Sequence, residues 1–290
     1  MSDKFEFKKV REFGEIINDT FTFIRENLKP LLKVFVYFGG VFIVALLVTN
    51  IGQQVSLLKD MRFASDGIFK SPYSVFTGWY FFYILFAIAY YNAICVAVLS
   101  YIAIYVEKGK IIPTVEQVWV YFKYYYFRAL LSTIVITIFL IVCAIPCGIP
   151  LIYVSPAMAL FLPVMIFENA SFSYTFSRCF KLIKENWGVT AGAIFIIYII
   201  TQATMSIASI PALIVGFAGA FIHSAQGVDM FLAILGAILQ SLFQVFIILP
   251  VVCSAICYYN VVERQENLGL LNRINELGEK KADFTGKEEY

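Results

Sequence analysis

Charge is what this chain has least of. Of its 290 residues only 14% are Asp, Glu, Lys or Arg, while 60% are hydrophobic and the mean hydropathy is +0.80. Soluble domains run near 45–50% apolar and about 25% charged. A disordered chain and a typical soluble enzyme are both excluded by that balance. Histidine occurs once, at His223, so a multi-histidine iron or zinc centre is excluded as well. The six cysteines (Cys95, Cys143, Cys147, Cys179, Cys253 and Cys257) show no disulfide framework. Two pairs stand four apart, on one helix face each, and read as small packing residues. No GxxxxGK[ST] or GxGxxG phosphate loop and no GxSxG serine elbow is present.

What is present is long apolar sequence. No charged residue occurs over 34–58, 71–106, 129–167, 186–228 or 230–262. A spanning helix needs about 20 apolar residues. The third run therefore holds two, divided at Pro146-Cys147-Gly148-Ile149-Pro150. The reading is an all-α polytopic membrane protein with six helices, roughly 31–50, 76–106, 129–146, 150–167, 189–214 and 230–261. Pro156 and Pro163 predict a kink in the fourth. Residues 1–268 form one membrane domain, and 269–290, rich in Lys and Glu, read as a disordered cytoplasmic tail.

The bases are placed unevenly. Nineteen of the 22 Lys and Arg fall before residue 34, in 107–128, in 168–187 or after 262; only Lys59, Arg62 and Lys70 lie in the other loops. By the positive-inside rule both terminal segments are expected in the cytoplasm. No cleavable signal peptide is expected, since an early apolar stretch is missing.

The polar segments carry their own pattern. Val10, Phe13, Ile17, Phe21, Ile24 and Leu28 recur at a helical period, which predicts an amphipathic interfacial helix before the first span. Phe172, Phe176, Phe180 and Ile183 repeat it. A shift of 159 sets Phe13 on Phe172 and Phe21 on Phe180; a weaker copy, shifted by 98, sets Trp119 on Phe21. The even-numbered spans each end on an acid: Glu107, Glu168 and Glu263. The chain thus reads as three parallel units, about 10–107, 112–168 and 172–263, each an interfacial helix followed by a helical hairpin.

Tyr258-Tyr259-Asn260-Val261-Val262-Glu263-Arg264 with Gly269-Leu270, and Phe180-Lys181-Leu182-Ile183-Lys184-Glu185-Asn186-Trp187, resemble the glycerophosphoryl diester phosphodiesterase membrane-domain family. That family often carries an acid and an arginine where this chain has Asn260 and Val262. The phosphodiesterase chemistry of such proteins belongs to a separate barrel, which needs on the order of 250 residues; six spans leave no room for it here. The resemblance implies a bacterial inner-membrane protein without the catalytic domain.

Inside the spans the reading finds no ionisable side chain, which disfavours ion-coupled transport and voltage sensing. The neutral polar residues Asn92, Gln202, Gln240 and Gln244 remain, either as interhelical hydrogen-bonding groups or as a polar seam between the fifth and sixth helices. Glu107, Glu168 and Glu263 are candidate acids at the cytoplasmic rim. Catalytic, metal and cofactor sites are not expected. Two functions follow: a non-enzymatic scaffold or accessory subunit of a membrane complex, or a transporter or lipid-translocating permease using the seam. The expected partners are membrane lipids and other membrane-protein subunits, not nucleic acid.

Overall fold

The structure is a computed structural model that describes residues 5–64, 78–146, 148–210 and 226–266. Cys147, His223 and the tail from residue 267 lie outside the described residues. Ten α-helices follow one another, with no strand among the described residues: α1 Phe13–Glu26, α2 Leu28–Ala64, α3 Gly78–Glu107, α4 Val115–Ala144, α5 Ile149–Ala159, α6 Phe161–Phe167, α7 Phe172–Ile183, α8 Trp187–Ile207, α9 Gln226–Phe243 and α10 Ile248–Glu266. Six stretches are long and apolar enough to cross a membrane: Leu28–Ser56, Gly78–Glu107, Val115–Ala144, Ile149–Phe167, Trp187–Ile207 and Ile234–Glu266. The all-α, six-span architecture read from the charge-free runs is the one observed.

Local chemistry sets the boundaries. The α1 start is closed by a capping box in which the Glu12 N–H donates to Glu15 Oε2 at 2.9 Å. That bond, followed by the nearby Lys9 ammonium, holds the Glu15 carboxyl below its ordinary pKa. Thr114 and Gln117 make the same reciprocal cap at the start of α4. Gly148, at φ +72°, turns α4 into α5, a left-handed conformation in which a Cβ would be strained.

Two boundaries differ from the sequence reading, and a third, in the fourth span, is the predicted kink. The second interfacial segment is not a separate helix, because nothing after the Thr114 cap breaks it: α4 runs unbroken through 115–128 into the third span. The fourth span breaks at Leu160, where Pro163 supplies no N–H for the Ala159 carbonyl and its ring would clash with it. The sixth span, expected to be continuous, tightens into a 3-10 turn at Gln244–Ile247, just before Pro250 withholds the N–H that the Phe246 carbonyl would otherwise receive.

Burial divides the spans into two kinds. In the second, fourth and sixth, half or more of the apolar stretch is buried; in the first, third and fifth, a third or less. The buried parts are Tyr90–Tyr105, Val154–Ile166 and Ile248–Glu263. The even spans thus form the centre and the odd ones the flank. α2 and α3 pair closely where Gly39 faces Tyr90 and Ile94, and where Gly52 faces Trp79. The short helices wrap the central segments in a cyclic order. α1 lies on α8 and α10; the start of α4 lies on α2 and α3, with Trp119 and Phe122 against Phe38; α7 lies on α5 and α6. Each thus packs mainly on the hairpin of a different unit from its own.

Candidate functional site

The predicted polar residues do not converge. Asn92 is fully buried, but between α3 and α4: its Nδ2 donates to the Tyr126 carbonyl at 3.2 Å and its Oδ1 accepts from the Thr133 hydroxyl at 3.2 Å. Gln240 accepts from Asn50 Nδ2 at 2.8 Å, tying α9 to α2. Gln244 contributes its backbone carbonyl, which accepts from the Tyr90 hydroxyl at 3.1 Å. Gln202 faces outward. The outer half of the sixth span packs chiefly on α2 rather than on α8. No seam lined by Gln202, Gln240 and Gln244 is formed between the last two spans. The glutamines are four apart on one helix only while that helix is continuous, and the 3-10 turn at Gln244 interrupts it.

The three acids separate likewise. Glu107 is exposed and accepts from the Tyr121 hydroxyl at 2.9 Å. Glu263 is buried. Glu168 is built into a polar cluster. Its Oε1 accepts from Arg178 Nε at 3.2 Å and from the Tyr258 hydroxyl at 3.1 Å, and Arg178 also pairs with Glu266. One guanidinium thus joins the end of α6, the middle of α7 and the end of α10. Burial works against the Arg178 charge, but its bonds to Glu266 and Glu168 outweigh it and hold its pKa above the ordinary arginine value. Beside it, burial pushes the Cys179 thiol up to about 12, with the Glu168 charge adding to the shift.

A second cluster is built around Arg11, which is 1% exposed. Its Nε donates to Asp19 Oδ2 at 2.7 Å, and its other nitrogens donate to the carbonyls of Phe7 at 2.7 Å, Lys9 at 3.0 Å and Glu6. The guanidinium lies over the Phe5 ring, 5.4 Å from its centre. Its backbone is held too: the Arg11 N–H donates to Asn260 Oδ1 at 2.7 Å, and Arg264 donates to the Arg11 carbonyl at 2.7 Å. Phe5, Phe7 and Phe23 pack together, with Tyr105 and Tyr259 against them. Residues 5–12 are therefore clasped onto the end of α10, across 249 positions of sequence.

Sequence reasoning counted Arg11 among the polar residues of an amphipathic helix and quoted Asn260 only as a departure from a family pattern. Neither Arg11, Asp19 and Arg264 nor Arg178 and Glu266 stood out, since local periodicity is blind to partners hundreds of residues away. The available signal was an arginine directly before a helix start, with an acid eight positions on.

Chemically the two clusters are suited to holding. Their donors and acceptors face one another rather than a common open point, and the Cys179 thiol near Glu168 is fully buried. Among the described residues no three His, Cys, Asp or Glu side chains are grouped so as to hold a metal ion. No family model, curated protein or solved structure matches the chain.

Proposed function

We propose that this integral membrane protein is a non-enzymatic scaffold or accessory subunit of a membrane complex. It sits in a bacterial cytoplasmic membrane with its N- and C-terminal segments in the cytoplasm, and its fold is the membrane-domain type that the Tyr258–Arg264 motif resembles. The observation that carries this reading is the use made of charge. Arg11, Asp19 and Arg264, and Glu168, Arg178 and Glu266, tie helices to one another at one end of the bundle, and beyond that end the spans carry no Asp, Glu, Lys or Arg over 34–56, 78–106, 129–144, 149–167, 187–207 and 234–262. Exposed Phe13, Phe21 and Phe172 on α1 and α7, next to exposed bases, suit helices that touch the membrane interface.

Internal duplication belongs to the same proposal. The Asn92–Tyr126 and Trp187–Tyr153 hydrogen bonds each span 34 residues. Shifting the first pair by 61 gives Tyr153 and Trp187, and 61 is also the distance from Glu107 to Glu168 and the difference between the shifts of 159 and 98. The side-chain and backbone roles are exchanged between the two bonds, but the paired positions correspond.

Extraction in mild detergent, followed by a native mass measurement, tests the function. The scaffold reading expects the chain in an assembly of fixed stoichiometry with a second membrane protein, each recovering the other. Solute flux or lipid scrambling by the purified chain alone in vesicles would replace it with the permease reading.

A further inference from the structure

A well-formed cleft in the described structure lies away from both ionic clusters. It has a volume of about 920 Å³ and lies between α3, α5–α6, α8 and the start of α10. Its origin is legible in side-chain size. On α8, Gly188, Ala191 and Gly192 present a small face at helical spacing, and opposite them stand Ser155, Pro156 and Ala159. Two small faces meeting across a proline-broken helix leave room that the bundle does not fill.

The lining is mostly apolar, and several of its polar groups already donate within the bundle. Ser254 Oγ donates to the Val251 carbonyl at 2.8 Å and Ser155 Oγ to the Ile152 carbonyl at 3.5 Å; Trp187 Nε1 donates to the Tyr153 carbonyl at 3.1 Å. The Tyr198 hydroxyl belongs to the exposed flank. Such a wall offers a polar solute little to bind, and it suits hydrocarbon. The flank of the cleft is open toward the surroundings of the bundle: Ile152, Phe195 and Tyr198 all line it and are more than half exposed.

Depth narrows the occupant further. The lining on α8 runs from Trp187 to Tyr198, twelve residues or about 16 Å of helix. One leaflet of a bilayer has a hydrocarbon depth of about 15 Å, half of roughly 30 Å. The cleft starts at the end of α8 that follows α7, so it matches the leaflet next to the ionic clusters. At its lip Trp187 stacks on Tyr153, an aromatic pair of the kind found at headgroup level. Lys181 and Lys184, both exposed, precede Trp187 by six and three residues, with Glu185 the only acid between Lys181 and Trp187.

We propose that this cleft is a lipid site: it takes one acyl chain of an anionic phospholipid from the leaflet at the charged end, with the headgroup beside Trp187 and the two lysines. The proposal needs only that the chain spans a membrane, and it stands or falls independently of the scaffold role.

Full-length protein in mild detergent is titrated with phosphatidylglycerol or with phosphatidylcholine, and native mass spectrometry counts the lipids retained. One phosphatidylglycerol per chain is expected. Ala191→Leu, which extends a side chain into the cleft, should weaken its retention at least tenfold. Ala159→Leu, on the facing wall of the cleft, serves the same purpose and replaces Ala191→Leu should that variant not purify as a folded species. Val142→Leu, on an exposed face of α4, should leave retention unchanged. Lys181→Gln with Lys184→Gln should bring phosphatidylglycerol down to the level of phosphatidylcholine. In a Trp79→Phe, Trp119→Phe background, acyl chains brominated along their length should quench Trp187, and Ala191→Leu should relieve that quenching. The site is overturned if wild-type protein retains no lipid or if the cleft-filling variants retain it as well as wild type does. Equal retention of the two headgroups overturns the anionic assignment.

Discussion

Removing the Arg11 guanidinium is the sharpest test of how the charged end is held. In Arg11→Met the aliphatic bulk stays, while Asp19 loses its ion pair and the carbonyls of Glu6, Phe7 and Lys9 lose their donor. Breaking a buried pair from one side costs about 3–5 kcal/mol. The Asp19 side chain is 22% exposed, so water replaces part of the lost interaction and the lower end applies, about 3 kcal/mol. At roughly 2 °C per kcal/mol for a chain of this length, the unfolding midpoint in detergent should fall by about 6 °C. Asp19→Asn leaves the guanidinium its carbonyl partners and should cost less, about 1–2 kcal/mol. The double variant should cost less than the two singles together, with a coupling of about 1 kcal/mol. Trypsin should also cut faster after Lys8 and Lys9, since the carbonyls around them lose the guanidinium that ties them to Asp19 on α1, while the backbone bonds of residue 11 to α10 remain. Full protection of that segment in Arg11→Met, or a coupling indistinguishable from zero, would refute the reasoning.

Other outcomes follow from packing and burial. Gly39→Leu should separate α2 from α3, because even a Cβ there would stand 2.7 Å from Ile94 Cδ1; a loss of about 1–3 kcal/mol is expected, measured as the unfolding midpoint against a Gly40→Leu control that meets nothing within 4 Å. Cys179 should resist maleimide at pH 8 until the protein is denatured, since a thiol with a pKa near 12 and no exposed surface supplies almost no thiolate; mass spectrometry of the labelled protein reads this directly. Asn92→Leu should cost about 1 kcal/mol, the scale of interhelical hydrogen bonds in membranes, whereas Gln202→Leu, at an outward-facing position, should be neutral or stabilising; comparing their melting curves separates structural from peripheral polar residues.

The spans were legible because hydrocarbon imposes one strong rule, and a run without charge obeys it over 20 residues at a time. Pro163 was legible as a kink for the same local reason. The break at Gln244–Ile247 is equally encoded, in Pro250, but a proline inside a long apolar run leaves the charge-free pattern that marks a span unchanged. The polar seam failed for a different reason. Residue depth along two helices does not say which helices are neighbours, and α9 turns its Gln240 to Asn50 on α2 instead of to Gln202 on α8. The ionic clusters were least visible of all, because Arg11 and Asn260 acquire meaning only from each other.

The clasp between residues 5–12 and α10 also constrains the order of events during synthesis. Arg11 can meet Asp19 as soon as α1 forms, since eight residues separate them. Asn260 is made 249 residues after Arg11. At about 5–20 residues per second, that delay is on the order of 12–50 s. Throughout it the aromatic cluster of Phe5, Phe7 and Phe23 has no Tyr259 to close against, and the membrane holds a bundle whose ring is still open. The sixth span is therefore the one that locks the segment ahead of the first.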